Sequence, residues 1–393
     1  MTFTSDKYAI AGLGVTVQGR LPGRTDLDFK VESLELALQD AGISPQEVDG
    51  FVFQPGVADM TAFGRGGEVV KPLGMRPNFV WNVQSGGTST IAMISMAIGA
   101  IESGMASVVA VNYGDSALSQ GALVGESGTG GSGADSGIYG MYSPGAEHAL
   151  AAMRHMKVFG TTKEQLGAIP ITARQYANLR PDAYLHAKPL TMEDYLKGRR
   201  LADPLNRYDY CLVADGGISV IVTSAERAKD LKAQPVLVSG IGLSLSQDLV
   251  YARTQYEAIG LDQAKNRAFN AAKMTLADID IAQIYDCFSI TVLLAIEALG
   301  ICPKGEGGPF VADGNLGPKG AMPTNTAGGE LAWSYQQGFT PVAEAVRQLR
   351  NEGGPTQIDG AQTSVVTGHG GVMGSKGQMD FAEACMILKA GGK

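Results

Sequence analysis

The residues able to do chemistry stand in a few short segments. Ser85 lies in Trp81-Asn82-Val83-Gln84-Ser85-Gly86-Gly87, and Tyr285 opens Tyr285-Asp286-Cys287-Phe288. Tyr335 sits in Ser334-Tyr335-Gln336 and His369 in Thr367-Gly368-His369-Gly370-Gly371. A serine hydroxyl is a poor nucleophile without an adjacent base, and no recognisable histidine–carboxylate motif accompanies Ser85. The four cysteines (211, 287, 302 and 385) show no C-x-x-C spacing. They read as reduced thiols, not as a disulfide framework, and Cys287 reads as a core thiol. His148, His155 and His186 form no metal motif and are expected at the surface or the core edge. His369 is flanked by glycines that free the backbone to expose amides or approach a ligand. A pocket residue and a plain turn histidine both fit it. Met141, Met153 and Met156, with Tyr142, form an adaptable apolar set that fits either the core or a hydrophobic substrate tunnel.

These groups need a large scaffold. The chain has 393 residues, 45% hydrophobic and 18% charged, enough apolar material for a sizeable core and too much for disorder. Its 53 glycines are about twice the usual share. The net charge is −8 and no basic run exceeds Arg199–Arg200, which argues against nucleic-acid binding. The first residues lack the apolar core of a signal peptide, and the apolar stretch Ile91–Ile101 is too short to span a bilayer. A soluble cytoplasmic protein is expected.

Strand and helix patterns alternate. Tyr8–Val15, Phe51–Phe53 and Ala106–Asn112 read as buried strands, Asp28–Ala41 as a helix capped by Gly42, and Gly87–Ser103 as a buried helix. The second half repeats this grammar. Ala41–Phe53 resembles Met274–Asp286, and a helix-opening Gly-Gly follows each, at 86–87 and 328–329. An internal duplication of an α/β unit follows. Residues 113–139 are Gly/Ser-rich and read as a mobile loop. Residues 140–210, with helical patterns broken at Pro170, Pro181, Pro189 and Pro204, read as an insertion covering the sheet edge where the halves meet.

In this order, the segments resemble those of the thiolase superfamily, and more closely its sterol-carrier-type branch, over nearly the full length. Trp81–Gly87 stands where thiolases have Asn-x-x-Cys. Ala214-Asp215-Gly216-Gly217 looks like the Asp-Gly-Ala-Ala strand entry, Asn325–Gly338 overlays Gly-Gly-x-x-x-x-Gly-His-Pro-x-Gly, and Thr367–Gly371 takes the place of Cys-x-Gly-Gly-Gly. The resemblance implies an α/β thiolase fold of two duplicated halves with layered mixed sheets and an inserted loop region. We expect residues 1–112 plus 211–255 as the first half, 113–210 as the insertion and 256–393 as the second half.

The departures matter most. Ser85 replaces the nucleophilic cysteine, and the second cysteine falls at Thr367 or Gly368. Tyr335 replaces the histidine of Gly-His-Pro, and Tyr285 replaces the histidine of His-Asp-Cys-Phe. The pattern resembles the thiolase-like aldolases of bacterial steroid side-chain degradation, which implies retro-aldol cleavage of a β-hydroxyacyl-CoA. Tyr285 and Tyr335 are then the expected catalytic pair, provided neighbours lower their pKa from about 10. Which acts as base and which as acid stays open. Ser85, Asp286, His369, Gly370 and Gly371 are the further pocket candidates. No metal and no cofactor is expected beyond the CoA of the substrate. The resemblance also implies a homodimer and a small OB-fold partner in an α2β2 assembly. A thiolase-type acyltransferase using Ser85 or Cys287, and a non-catalytic acyl-CoA or lipid binder, are the competing classes.

Overall fold

The computed structural model describes residues 4–56, 65–121, 143–245, 260–373 and 379–392, with the side chains of 371–373 and 379–381 left aside. Most of the Gly/Ser-rich stretch, together with Met141 and Tyr142, lies outside the described residues.

The strands are β1 (Tyr8–Val15), β2 (Gly50–Phe53), β3 (Phe79–Asn82), β4 (Val108–Asp115), β5 (Arg200–Ala202), β6 (Leu205–Asn206), β7 (Gly216–Ser224), β8 (Val236–Leu245), β9 (Ile281–Gln283), β10 (Thr363–Met373) and β11 (Met379–Ala390). Nine form one mixed sheet in the order β3-β2-β4-β7-β1-β8-β11-β10-β9, and β5 and β6 make a separate hairpin. Apart from β3 at one edge, the order reads alike from both sides. β2 pairs parallel with β4, and β9 parallel with β10. Two antiparallel strands then lead inward on each side to β1 and β8, which meet in the middle.

The duplication extends to single residues. Ser44 and Glu47 form a capping box around one turn of 3-10 helix, and Thr275 and Asp278 form its counterpart. After each turn an aspartate receives the amides that start a neighbouring strand. Asp49 accepts from Ser107 and Val108, and Asp280 from Gln362 and Thr363. A division of the chain at 255 would keep β8 with the first half; in the sheet it pairs with β1 on one side and β11 on the other.

Helices Asp26–Ala41 and Leu261–Ala272 pack on the sheet in corresponding places, the first on β1, β4 and β7, the second on β8 and β11. The apolar helix Ser89–Glu102 and the buried helix Phe339–Leu349 touch strands of both wings. Asp26–Ala41 begins two residues before its apolar stripe because Thr25 and Asp28 cap it reciprocally. Lys163–Leu179 runs unbroken through Pro170, against expectation. Proline removes one backbone bond there, but Leu166, Ile169, Ala173, Tyr176 and Ala177 are buried around it and hold the helix. No helix among the described residues is long and apolar enough to cross a membrane.

Candidate active site

The four chemistry-bearing segments converge on Gly87. A Cβ placed there would lie 2.2 Å from the Tyr285 ring and 2.5 Å from the His369 carbonyl oxygen. One on Gly338, at φ 89°, would lie 2.3 Å from the Gly87 carbonyl, and one on Gly370 would lie 2.4 Å from the Ser85 carbonyl. Glycine at these crossings lets the segments approach backbone to backbone. Gly371 continues β10 and pairs with Phe381 of β11.

Tyr285 follows β9, and its amide donates to Thr367 Oγ1 at 3.1 Å. Tyr335 follows the short helix Gly329–Ala332. Their hydroxyl oxygens stand 3.5 Å apart, and both side chains are buried. The structure thus brings the expected pair together, but the electrostatics run opposite to the expectation of lowered pKa. Burial, then the charges of Glu330 and Tyr335, pushes Tyr285 well above the ordinary phenol value. Burial also dominates at Tyr335, followed by Cys211 and Glu330, against weaker lowering by hydrogen bonds to Tyr285 and Gln337. A phenolate cannot be solvated in so closed a cleft. Both phenols are proton-bearing at neutral pH.

Ser85 heads the turn into helix Ser89–Glu102. Its Oγ lies 2.8 Å from Thr88 Oγ1 and 3.5 Å from Ser89 Oγ. Thr88 Oγ1 in turn donates to the Ser85 carbonyl at 2.7 Å. Among the described residues no imidazole or carboxylate hydrogen-bonds to Ser85. Cys287 is buried, and its thiol is pushed well above the usual range by desolvation, despite the hydrogen bond to Thr291. Neither group is set up as an anionic nucleophile.

Asp286 has a different place from the phenols. Its carboxylate accepts the Glu330 and Leu331 amides at 2.7 and 3.2 Å, which starts helix Gly329–Ala332. Burial nevertheless pushes it up to about 7. Glu330 is buried as well. Its Oε1 accepts from the Gly338 amide at 3.2 Å, while Oε2 is unpartnered. Burial and then the Asp286 charge push its carboxyl well above the usual range. Sequence reasoning missed Glu330; the available signal was a carboxylate set between Gly328-Gly329 and the apolar Leu331-Ala332-Trp333.

His369 lies on β10 and not in a turn, because Gly368, His369 and Gly370 all pair in register with β11. Opposite it stands Glu383, whose Oε1 is 2.6 Å from His369 Nδ1. His148, on helix Pro144–Phe159, comes within 3.1 Å of His369, nitrogen to nitrogen, and stacks on Phe288. His148 and His155 are buried, against the expectation of a surface or core-edge place. His155 is held by Thr161 and Glu297 at 2.8 and 3.0 Å. Met153 is half exposed, so it does not line a buried tunnel.

The chain is similar to known proteins over most of its length. The thiolase C-terminal domain-like family matches residues 242–381. The chain is 33% identical to the 17-hydroxy-3-oxo-4-pregnene-20-carboxyl-CoA lyase of Mycobacterium tuberculosis, over 94% of its own length and 97% of the relative's. It is 32% identical to a steroid side-chain-cleaving aldolase of Thermomonospora curvata, over 87% and 90%. A solved structure named Ltp2-ChsH2(DUF35) aldolase superposes with a TM-score of 0.85 at 31% identity, covering 98% of both chains. The chain therefore belongs to the thiolase-like superfamily, in the branch of carbon–carbon lyases formed by the steroid side-chain-cleaving aldolases.

Proposed function

We propose that this protein cleaves a β-hydroxyacyl-CoA by retro-aldol reaction, giving a ketone or aldehyde and a shortened acyl-CoA. A steroid or other bulky side-chain CoA thioester is the substrate class, by likeness to the lyase and aldolase relatives. The observation that carries the reading is the phenol pair, two hydroxyls 3.5 Å apart in a buried cleft.

The reaction moves one proton overall. It leaves the β-hydroxyl, the Cα–Cβ bond breaks, and the enolate carbon gains a proton. Because burial keeps both phenols protonated, the pair works as a relay. Tyr285 accepts the substrate proton while passing its own to Tyr335, and Tyr335 delivers its proton to the enolate carbon. Each phenol ends as it began, and no free phenolate is needed. The thioester delocalises the enolate charge. With its pKa raised, Glu330 is held towards the neutral form, which limits the negative charge beside that enolate.

The serine bonded only to neighbouring hydroxyls and the buried thiol speak against acyl transfer. The proposal includes a homodimer docked with a small OB-fold partner in the cytoplasm; the name of the solved relative, which pairs Ltp2 with ChsH2(DUF35), supports the second protein alone. Incubation with a β-hydroxyacyl-CoA should release the carbonyl product and the shortened acyl-CoA without consuming free CoA. CoA-dependent cleavage of a 3-ketoacyl-CoA would establish acyl transfer instead, and binding without turnover a binding protein.

A further inference from the structure

Next to the phenols, side chains from three distant parts of the chain bring ligand atoms together. His148 Nδ1 lies 2.7 Å from the Pro144 carbonyl oxygen. A carbonyl only accepts, so this nitrogen carries the hydrogen and the neutral ring presents Nε2 as a lone pair. His369 Nδ1 faces the Glu383 carboxylate at 2.6 Å and donates to it; in the neutral ring this leaves Nε2 a lone pair too. The two Nε2 atoms face each other at 3.1 Å. With both rings neutral these are two acceptors, which repel at that distance unless a positive charge, a metal ion or a shared proton, joins them. Cys287 Sγ stands 4.0 Å from His148 Nε2, and the three ligand atoms lie within 4.8 Å of one another.

We propose that His148 Nε2, His369 Nε2 and Cys287 Sγ hold a divalent cation of the zinc class. Two imidazoles and a thiolate suit such an ion, with metal–nitrogen bonds of about 2.0–2.1 Å and a metal–sulfur bond of about 2.3 Å. Nitrogens 3.1 Å apart can both reach an ion at those lengths. The outer nitrogens are held as metal-bound histidines usually are, one by a backbone carbonyl and one by a carboxylate. Phe288 fixes the plane of His148, with ring centroids 4.1 Å apart. Binding releases the Cys287 thiol proton, and the two positive charges of the ion are then matched by the thiolate and Glu383. Three protein ligands leave a fourth position for a water or a substrate oxygen. This departs from the expectation of no metal, which rested on local spacing: the ligands come from a helix, a strand-end loop and a strand, and Glu383 from a further strand. The inference does not rest on the proposed reaction.

The full chain, stripped of metal and titrated with Co2+ as a spectroscopic probe, tests it. One equivalent should bind, with the visible bands of a four-coordinate ion and a near-ultraviolet thiolate-to-cobalt band, and Zn2+ should displace it. Cys287→Ser should abolish the near-ultraviolet band. Glu383→Gln should weaken Co2+ binding about 10–100-fold and keep both bands at saturation. The second variant keeps all three ligands, so it reports even if a ligand variant fails to fold. Absence of the charge-transfer band in the unsubstituted protein would overturn the site, as would an unchanged band and affinity in Cys287→Ser. A proton shared by the two imidazoles would then be the missing charge.

Discussion

At Tyr285 and Tyr335 the ring and the hydroxyl do separable work. The Tyr285 ring packs over Gly87, and the hydroxyls meet each other. Phenylalanine keeps the packing and deletes the relay. Each Tyr→Phe change should lower kcat by about 10²–10⁴, the span of general acid–base catalysis, with the melting temperature and substrate-analogue binding little changed. Near-normal kcat in both variants would rule out the two-phenol relay. Ser85→Ala should retain most turnover, and intact-mass spectrometry should find no acyl adduct on the unsubstituted protein; a serine-bound acyl group would return the reading to acyl transfer. The phenol pair was legible in the sequence because each tyrosine stands where the resemblance places a histidine. Its proton affinity was not, since burial and the Glu330 charge come from packing. His148 was hidden for a related reason: its partner lies 221 residues away, beyond any local motif.

Two glycines of one segment show how elements place these side chains. Gly87 is pressed between the Tyr285 ring and the His369 carbonyl, whereas a Cβ added to Gly99, on the exposed face of helix Ser89–Glu102, would meet nothing within 4 Å. Gly87→Ala should displace Tyr285, cost about 1–3 kcal/mol as an overpacking change, and depress kcat. Gly99→Ala should instead stabilise by about 0.4–1 kcal/mol and leave kcat alone. Urea midpoints together with kcat read both outcomes, and equal effects of the two substitutions would refute the close-approach account. The strands and helices were legible where apolar period and caps agree, as along Tyr8–Val15, whose bounds matched. They were less so where composition misleads. Glycines around His369 suggest a turn, yet the β11 ladder holds them in a strand, and Pro170 suggests a break that core packing overrides.

For the molecule as a whole, the buried acids set how stability follows pH. The Asp286 carboxyl rises from an ordinary 3.8 to about 7 on folding, and that of Glu330 rises as well. The folded state therefore holds protons that the unfolded chain releases, and stability falls as pH rises. For Asp286 the loss runs from about 4 to about 7, set by the unfolded and folded values. Glu330→Gln removes one of these ionisations and keeps an acceptor for the Gly338 amide. Its melting temperature should fall less than that of the unsubstituted protein between mildly acidic and mildly alkaline buffer; parallel curves would show that Glu330 is not held protonated. The seam between the wings has a consequence of another kind. β1 and β8 meet through only three register pairs, while the cleft draws on segments from Ser85 to Gly370. Each wing can complete most of its own ladder early, but the cleft closes only after a long-range search unites them. Refolding should restore helical circular dichroism before it restores turnover, which makes catalytic competence a late clock of assembly.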